Sequence, residues 1–563
     1  MEDLQTGLDI YTFVMNALVV LLIAIFIRHS LYRLRYFLHM SQQLGYKTNE
    51  YGIWIFDHFF SKTIIIEQLL FFSITSIIIY FFTDQITLTS GIILLITFAA
   101  FWFIGVSSFK PEKEKKPLVY TSRLQRLGWT SLLLMGFMWF MIIDFAYSGI
   151  MLTDFAAPFI NTDPYFLAVG LVVVDMSVPF FLYLAMWLMK PIEKNIQNGF
   201  KRQARKKLAS LPHLKVIAIT GSYGKTSTKF AIHAFLKERL QVCVTPGSYN
   251  TPMGICKVIN NDLEAHHQVL ILEMGARYSG NIKELCEIAR PDISVITNVG
   301  ISHLETFGSQ DAVAEEKSTL AKELKPGGTL ILNGDDDRVR KMAELRDDVK
   351  IVFTGKGGDV EAKDIEVNAD GTSFKLSLNN GGGTSETQIS TRLLGAHNIQ
   401  NMLLAAAVAT EFDIRDNTIA VAAKTMAPVE HRLELKSRNG LIVIDDAFNS
   451  NPVGAKNAVD ILASFTSGKR ILITPGMIEL GELEDVENRK FGEHIARAEL
   501  DLVILVGEKQ TEPIALGINS ITNQDTKVEI VSSLFEANKL LTEFASPGDI
   551  VLYENDLPDT YNS

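Results

Sequence analysis

The first residues that point to chemistry form the glycine-rich run Gly221-Ser-Tyr-Gly-Lys-Thr226. It follows a short apolar run, Lys215–Thr220, and leads into a helical stretch, Ser227–Leu240. In such a loop, glycines let backbone N–H groups close around phosphates at a helix N-terminus. Lys225 is expected to reach the β- and γ-phosphates, and the Thr226 hydroxyl to hold Mg²⁺. The loop is shorter than the usual GxxxxGK[ST] form, so the motif by itself also fits a purely structural turn.

The elements around this loop alternate between short apolar strands and helical segments, which predicts a mostly parallel sheet. The alternation occurs twice, so two α/β units stand in series, with a hinge near Ala427–His431 and a β insertion at Asn368–Thr387. The predicted strands of the two units are Lys215–Thr220, Val269–Glu273, Ile293–Asn298 and Thr329–Leu332, then Leu441–Asp446, Arg470–Thr474, Leu502–Val506 and Asp549–Tyr553.

The chain before residue 190 has a different character, because five apolar runs there each approach the roughly 20 residues that cross a bilayer. Basic residues follow the first, third and fifth runs, whereas Asp84, Asp154 and Asp163 lie in the intervening loops. The positive-inside rule then predicts an N-terminus outside and everything after Met189 in the cytoplasm. The five predicted spans are Tyr11–Ile27, Thr63–Phe82, Leu88–Ile104, Leu127–Phe145 and Phe166–Met189.

Two carboxyl groups fall within these apolar runs, Asp175 and Glu67. An acid in hydrocarbon is costly, which makes a contact to a lipid-linked substrate or a partner helix one hypothesis. The other is a hydrogen-bonded contact between helices, beside a kink at Pro179 for Asp175 and near the membrane interface for Glu67. The stretch KRQARKK at Lys201–Lys207 either binds anionic lipid head groups or forms a solvated basic helix face.

Composition and charge exclude some classes of function. The 563 residues contain 53 Lys and Arg against 64 Asp and Glu, a net charge of −11, so a chain-wide basic surface for nucleic acid is not supported. The cysteines at 243, 256 and 286 form no CxxC pair and are too few for a disulfide framework. A reducing compartment and no nucleic-acid partner are therefore expected.

The motifs after residue 215 occur in an order that resembles a known family. TGSYGKTST is followed by LEMGARYSGNI at Leu272–Ile282 and by ITNVGISHLETFGS at Ile296–Ser309, and then by EEKSTL, LNGDDD, LLGAHNIQNMLLAAA, EHRLE and IDDAFNSNP. Over about Val216–Val551 this series resembles the Mur ligases, and within them the MurF-like branch, which joins D-alanyl-D-alanine to a UDP-muramoyl tripeptide. The resemblance implies ATP and Mg²⁺ as cofactors and a role in peptidoglycan or a related envelope polymer.

The resulting fold class is a membrane helical domain plus α/β domains. We expect a transmembrane domain of about five helices at residues 1–195 and a basic linker at 196–212. The resemblance implies a central P-loop Mur ligase domain at 213–428 and a Rossmann-like C-terminal domain at 429–563. With the predicted topology, this is a multi-pass protein of the bacterial plasma (inner) membrane whose ligase domains lie in the cytoplasm.

Glu273 ends a predicted strand and His303 follows another, at the edge where open α/β sheets bind ligands. The resemblance makes both of them Mg²⁺ contacts together with Thr226. It implies that Lys317 is carbamylated into a metal ligand, although a plain ion-pairing lysine is the alternative. Catalytic roles are implied for Lys225, Lys317, His303 and Arg432. The implied nucleotide contacts are Gly221, Ser222, Gly224, Lys225, Thr226, Ser227, Asn250, Asn333, His397, Asn401, Arg432 and Asp446, with Asn401 at adenine and Asp446 at the ribose.

The implied reaction joins a carboxylate and an amine through an acyl phosphate. The usual soluble N-terminal domain of the branch is absent, so we expect a lipid-linked or membrane-associated carboxylate acceptor. In the last domain, TPGMIELGE differs from the family's LGDMxELGE at Pro475 and Gly476, and VLYENDLPDTY lacks the pattern VLxKGS. The amine, an amino acid or dipeptide, therefore stays open, as does any role of Asn449 and Asn451 in binding it. The alternatives are a ligase like poly-γ-glutamate synthase and a membrane scaffold with an idle nucleotide fold.

Overall fold

The computed structural model describes residues 2–70, 73, 88–105, 109, 117–151, 164–301, 303–368, 371–379, 383–447, 450–478, 480–522 and 526–555. These residues fall into two compact units, which divide between Ile196 and Gln197. The first unit is helical. The second contains two sheets and the helices that cover them.

Long helices make up the first unit, and the last of them continues into the second. A π-helical turn at Lys62–Ile66 follows the second helix. The helices are α1 (Glu2–Gln43), α2 (Thr48–Asp57), α3 (Leu88–Gly105), α4 (Ser122–Met151) and α5 (Pro164–Ala209). Of the described residues, one helical segment, Gly170–Ala209, is long and apolar enough to cross a membrane. Much of the predicted second span lies outside the described residues, and the set of five spans stays a prediction.

A buried polar cluster ties the helices of the first unit together. Asp175 accepts hydrogen bonds from Arg33 Nη1 at 3.3 Å and from Gln68 Nε2 at 3.1 Å, and Arg33 Nη2 also donates to the Ile64 carbonyl at 2.6 Å. Arg33 and Asp175 are both fully buried. Of the two hypotheses for Asp175, the structure favours the contact between helices. Arg33 is one of the basic residues that follow the first apolar run, and it is buried in an ion pair with Asp175 and not exposed.

The first sheet of the second unit has nine strands in the order β2-β3-β1-β4-β5-β6-β7-β8-β9. Its first seven strands pair in parallel, and β7, β8 and β9 form an antiparallel meander where the β insertion is predicted. The strands are β1 (Lys215–Thr220), β2 (Val242–Val244), β3 (Val269–Glu273), β4 (Ile293–Ile296), β5 (Thr329–Asn333), β6 (Lys350–Thr354), β7 (Val360–Asn368), β8 (Gly371–Asn379) and β9 (Thr384–Thr391).

Helices connect the parallel strands and bury their apolar faces on the sheet. Their bounds are α6 (Lys225–Leu236), α7 (Pro252–Asn261), α8 (Asn281–Ile288), α9 (Leu304–Phe307), α10 (Gln310–Lys322), α11 (Asp337–Arg340), α12 (Ala396–Thr410) and α13 (Asp416–Thr425), with a 3₁₀ turn at Lys341–Leu345.

The basic linker at the end of α5 is part of this second unit. Ala204 is fully buried in its core, Lys201 Nζ lies 2.5 Å from Glu284 Oε1, and Lys207 Nζ donates to the Asn260 carbonyl at 2.9 Å. Arg202 is among the basic side chains that stay exposed. One face of the linker is therefore docked on the α/β fold, and the other face, with Arg202, Arg205 and Lys206, is exposed, which agrees with the hypothesis of a solvated basic helix face.

The second sheet has six strands in the order β10-β11-β15-β12-β13-β14, all parallel except the β10–β11 pair. Its strands are β10 (Glu434–Arg438), β11 (Leu441–Asp446), β12 (Arg470–Thr474), β13 (Leu502–Val506), β14 (Lys527–Val531) and β15 (Ile550–Glu554). Its helices are α14 (Pro452–Ala463), α15 (Glu484–Arg497), α16 (Glu508–Asn519) and α17 (Leu534–Phe544), and a 3₁₀ turn spans Gly481–Leu483. The prediction of two α/β units in series is confirmed.

Candidate active site

The glycine-rich loop connects the end of β1 to the start of α6, in the strand–loop–helix arrangement that the sequence predicts. Gly221 and Gly224 have φ of +148° and +78°. A Cβ at position 221 would collide with Thr297 Oγ1, and one at 224 would lie 2.5 Å from Asn401 Oδ1. Both glycines are thus required by backbone conformation and by space.

Lys225 is the first residue of α6 and folds back over the loop. Its Nζ donates to the carbonyl oxygens of Gly221 at 2.8 Å and Ser222 at 3.0 Å. Burial lowers the pKa of Lys225, Glu273 opposes that effect, and the positive charge of Arg432 adds to it. The amine is held at the loop by carbonyl oxygens that phosphate oxygens can replace as its acceptors.

Glu273 is the centre of the polar network at the end of β3. It is 1% exposed and accepts from Thr226 Oγ1 at 2.9 Å and from Asn250 Nδ2 at 3.1 Å. Lys229 Nζ lies 3.5 Å from the same carboxylate and also donates a very short hydrogen bond to the Gly247 carbonyl. The sequence prediction omits Lys229, although its position four residues after Lys225 places it one turn further along α6.

The Thr226–Glu273 pair suits a hard cation, because a carboxylate and a hydroxyl oxygen are ligands that Mg²⁺ accepts. His303, the third predicted metal contact, has φ +57° at the start of α9 and lines the same cavity as the pair. Within the described part of the chain there is no group of three or more His, Cys, Asp or Glu side chains placed to hold a metal by themselves. A metal here would therefore take ligands from the nucleotide or water as well, as Mg²⁺ usually does.

A cavity of about 460 Å³ brings most of the predicted site together. Its wall is formed from both sheets of the second unit. The predicted residues that line it are Ser222, Gly224, Lys225, Thr226, Ser227, Asn250, Glu273, His303, Asn333, His397, Asn401, Arg432 and Asp446. Gly221 shapes the loop beneath it and is not part of the wall.

The side of the cavity formed by α12 carries His397 and Asn401. Asn401 Oδ1 accepts from Thr228 Oγ1 at 3.1 Å, which joins α12 to α6. Nδ1 of His397 has no hydrogen-bond partner among the described residues. Burial and the nearby charge of Arg432 lower the pKa of His397 to about 4, so its ring is neutral at pH 7. This wall offers neutral hydrogen-bonding groups, as recognition of an uncharged base requires.

Arg432 and Asp446 enter the cavity from the second α/β domain. Asp446 ends β11 and accepts from the Leu433 backbone N–H at 3.1 Å. The residues on either side of Arg432 have positive φ, +59° at His431 and +49° at Leu433, so the chain turns sharply there. Burial raises the pKa of Asp446 to about 6, and burial lowers the pKa of Arg432.

Lys317 on α10 is 3% exposed and does not line the cavity. Burial and the repulsion of Lys225 lower its pKa to about 7. Its neighbour Glu316 accepts from the backbone N–H groups of Gly280 at 2.8 Å and Ile282 at 2.7 Å, which fixes α10 against the start of α8. Lys317 is thus a buried amine that is partly neutral at pH 7, and nothing in the described contacts makes it a plain ion-pairing lysine.

Of the two asparagines before α14, Asn451 caps the helix: its Oδ1 accepts from Gly454 N at 2.9 Å. Asn449 lies outside the described residues. The sequence prediction also passed over Ser450, which lines the cavity, and Glu554, the buried end of β15. The departure of VLYEND from the family pattern is the sequence signal by which Glu554 could have been found.

The chain matches two family models, Mur ligase middle domain at residues 219–409 and Mur ligase, glutamate ligase domain at residues 431–553. It is 32% identical over 345 residues to the UDP-N-acetylmuramoyl-tripeptide–D-alanyl-D-alanine ligase of Bacillus subtilis, over 60% of this chain and 72% of that one.

Two solved structures show the same fold. The structure of MurF from Acinetobacter baumannii is 25% identical, with a TM-score of 0.58 over 65% of this chain and 78% of that chain. The MurF ligase of Thermotoga maritima in complex with ADP is 27% identical, with a TM-score of 0.57 over 64% of this chain and 80% of that chain. With both α/β domains matched in order and the phosphate loop, Glu273 and Arg432 gathered in one cavity, the chain belongs to the Mur ligase family of ATP-dependent, ADP-forming ligases, as a MurF-like member.

Proposed function

We propose that this chain uses ATP and Mg²⁺ to join a carboxylate acceptor to an amine through an acyl phosphate. One observation carries the proposal: a single cavity holds Lys225 and Arg432 together with the Thr226–Glu273 oxygen pair. Two cations and a metal-binding pair at one place suit a transferring phosphoryl group, whose catalysis depends mostly on positioning and charge stabilisation.

The reaction has two steps. The acceptor carboxylate attacks the γ-phosphorus of ATP, and ADP leaves with the electrons of the broken P–O bond. The amine nitrogen then attacks the acyl carbon, and phosphate leaves as the C–O bond breaks. Lys225 and Arg432 stabilise the negative charge of the first step, and Thr226 and Glu273 would hold Mg²⁺, with His303 beside them. Bound Mg²⁺ would neutralise phosphate charge. A closed cavity excludes the water that hydrolyses an acyl phosphate.

The name of the Bacillus subtilis relative supplies the substrate class. It acts on a UDP-N-acetylmuramoyl tripeptide and D-alanyl-D-alanine. For this chain we propose a related acceptor, a muramoyl-type peptide with a free carboxylate, in the synthesis of peptidoglycan or a related envelope polymer. The incoming amine is an amino acid or dipeptide.

We further propose that the first unit anchors the ligase in the bacterial plasma membrane, with the N-terminus outside and the ligase domains in the cytoplasm, and that the acceptor is lipid-linked. An apolar stripe on α4 supports an anchor: Trp129, Leu133, Phe137 and Phe140 lie at helical spacing and are each 63–74% exposed. On the other side of α4, Leu124 and Leu127 are buried. An exposed stripe of this kind suits a lipid environment.

The test uses the full chain in lipid vesicles with ATP and Mg²⁺. Two acceptors are compared, a soluble UDP-muramoyl tripeptide and a lipid-linked muramoyl tripeptide, each with D-alanyl-D-alanine and a panel of amino acids. Mass spectrometry identifies any amide product, and ADP release is followed in parallel. Lys225→Ala is the inactive control, and Lys237→Ala, an exposed lysine at the end of the same helix, is the matched active control.

An amide product with the lipid-linked acceptor, absent in Lys225→Ala, supports the whole proposal. Turnover of the soluble acceptor alone removes the lipid-linked part and keeps the ligase. Extension by successive glutamates points to the poly-γ-glutamate-synthase-like alternative. Nucleotide binding without any amide product points to the scaffold.

A further inference from the structure

A group of hydroxyl and carboxyl side chains lies at the carboxyl edge of the second sheet, outside the roles described so far. Glu554 ends β15 and is 1% exposed. Ser450 Oγ donates a very short hydrogen bond to its Oε1, and Thr474 Oγ1 donates to its Oε2 at 2.5 Å. Thr474 in turn accepts from Gly476 N at 3.0 Å, so its hydroxyl proton is directed at the carboxyl group.

Ser450 links this buried acid to the cavity. Ser450 is part of the cavity wall, whereas Glu554 and Thr474 are buried and do not line the cavity. The backbone N–H of Ser450 donates to Asn555 Oδ1 at 3.3 Å, and Asn555 Nδ2 donates to the Gly476 carbonyl at 2.6 Å. These bonds fix the segment before α14 to the end of β15. Ser450 therefore lines the cavity and is hydrogen-bonded to the buried carboxyl group.

Glu554 lies in a segment whose sequence differs from the family pattern. In VLYEND, Glu554 and Asn555 take the places of Lys and Gly in the pattern VLxKGS. Asn555 has φ +66°, a conformation that glycine and asparagine tolerate best. The backbone turn is thus kept while a cation is replaced by an acid. Because Ser450 joins this acid to the cavity that holds Lys225 and Arg432, the replacement bears on the chemistry of that cavity.

The surroundings of Glu554 suit proton exchange near neutral pH. Burial and the facing carboxyl group of Asp446, its register partner on β11, raise the pKa of Glu554 to about 7, against the hydrogen bonds from Ser450 and Thr474. From β12, the group that faces it is the Thr474 hydroxyl. The positive charge of Arg432 acts on Asp446, where it opposes the rise in the pKa of that acid.

We propose that Ser450 and Glu554 form a proton relay that deprotonates the incoming amine. The relay rests on the proposed function, since it serves the second step of that reaction. The amine binds as an ammonium ion and gives one proton to Ser450 Oγ while the Ser450 hydroxyl proton passes to the Glu554 carboxylate. The neutral nitrogen then forms the C–N bond, the C–O bond to phosphate breaks, and the phosphate takes the second nitrogen proton. Glu554 finally releases its proton to solvent. Ser450 touches the substrate, and Glu554 acts through it.

The experiment compares Glu554→Gln and Ser450→Ala with the wild type, in the acceptor and amine pair that the preceding experiment identifies. General base catalysis contributes about 10²-fold or more, so kcat/KM for the amine is expected to fall by about that factor in both variants. ADP formation before the amine is added, measured as a single turnover, stays at the wild-type rate. Glu536→Gln, a carboxyl group on the exposed face of α17, is the matched control with unchanged kinetics.

The pH profile separates a relay from a structural role. In the wild type, kcat/KM for the amine rises through a limb near pH 7 that belongs to Glu554, and this limb stays in place when D-alanine replaces D-alanyl-D-alanine. A second limb, from the amine itself, moves with the pKa of the amine. In Glu554→Gln the fixed limb is lost and the movable limb remains. Thermal unfolding and circular dichroism verify that the variants are folded.

The outcomes are distinguishable. A wild type that forms amide, with Glu554→Gln keeping the fixed limb, overturns the relay and leaves the proposed function intact. A variant that slows ADP formation as strongly as amide formation also overturns it, because the residue then acts on the whole fold. A wild type that forms no amide from any tested pair overturns the proposed function and the relay together.

Discussion

Two buried carboxylates occupy the same kind of position in the two sheets and have opposite surroundings. Glu273 ends β3 and Glu554 ends β15, each at the carboxyl edge of a parallel sheet and each 1% exposed. Lys229, Thr226 and Asn250 surround Glu273. Hydroxyl groups and a second carboxyl group surround Glu554.

The difference shows that the sheet topology determines the position of each acid, and that the neighbouring side chains determine its chemical role. The cation Lys229 beside Glu273 and the hydroxyl of Thr226 make that edge suited to a metal ion and to phosphate. At the edge of Glu554, burial raises the pKa of the carboxyl group to about 7, so this acid changes its charge near neutral pH. One cavity is thus bounded by a charge-stabilising edge and, through Ser450, by a proton-exchanging edge.

The largest expected effect comes from removal of Lys225, which tests whether the edge of Glu273 stabilises phosphate charge. Lys225→Ala deletes a cation aimed at the transferring phosphoryl group, and ADP formation is expected to fall about 10³-fold. Single-turnover ADP release measures it, with Lys237→Ala as the control. Near-normal ADP formation in Lys225→Ala would mean that this edge does not bind the phosphates.

Glu273→Gln tests whether the same edge binds the metal. The amide keeps the shape and the contact to Thr226 but removes the negative charge that attracts Mg²⁺. We expect the Mg²⁺ concentration for half-maximal activity to rise at least about tenfold. Titration with Mg²⁺ at saturating ATP measures it. Glu287→Gln, an exposed acid on α8, should leave the titration unchanged, and an unchanged Glu273→Gln would contradict a metal at this edge.

The order of motifs predicts the first edge almost completely, because its residues lie within or directly after strands and helices whose pattern is strong. Thr226 and Glu273 lie in the motifs, Asn250 is implied by the family resemblance, and the structure brings the three into contact. Lys229 is missed because a lysine on a helix has no distinctive pattern; only the fold buries it against Glu273.

The second edge is harder to predict. Glu554 and Ser450 are 104 residues apart, and only the strand order β11-β15-β12 brings them together. The same holds in the helical unit, where Arg33 and Asp175 meet across 142 residues. There, the sequence shows charges in or beside apolar runs, and pairing them requires the packing of α1 against α5.

The ionisation of Glu554 also affects the free energy of unfolding. Glu554 has a raised pKa in the folded chain, so the fold binds its proton more tightly than the unfolded chain does. Its ionisation therefore costs stability as pH rises from about 4.5 to about 7, and by up to about 3 kcal/mol above that window. Glu554→Gln removes this cost, so its unfolding temperature should exceed that of the wild type at pH 8 and approach it below pH 5. Differential scanning calorimetry of both at several pH values measures the difference. A difference that does not depend on pH would mean that Glu554 is not a proton-exchanging acid.

Lys317 provides the last test and the smallest expected effect, because a carbamate there would add a negative charge near Lys225 and none near Glu554. Burial and Lys225 lower the pKa of Lys317 to about 7, so its neutral form, the one that attacks CO₂, increases through pH 7. We expect bicarbonate to raise ADP formation a few-fold, more strongly at pH 8 than at pH 6, in the wild type and in the exposed-site control Lys322→Met. In Lys317→Met, which cannot form a carbamate, the response should vanish. Stopped assays in CO₂-depleted and bicarbonate-supplemented buffer measure it, and a response that survives in Lys317→Met would assign the bicarbonate effect to another group.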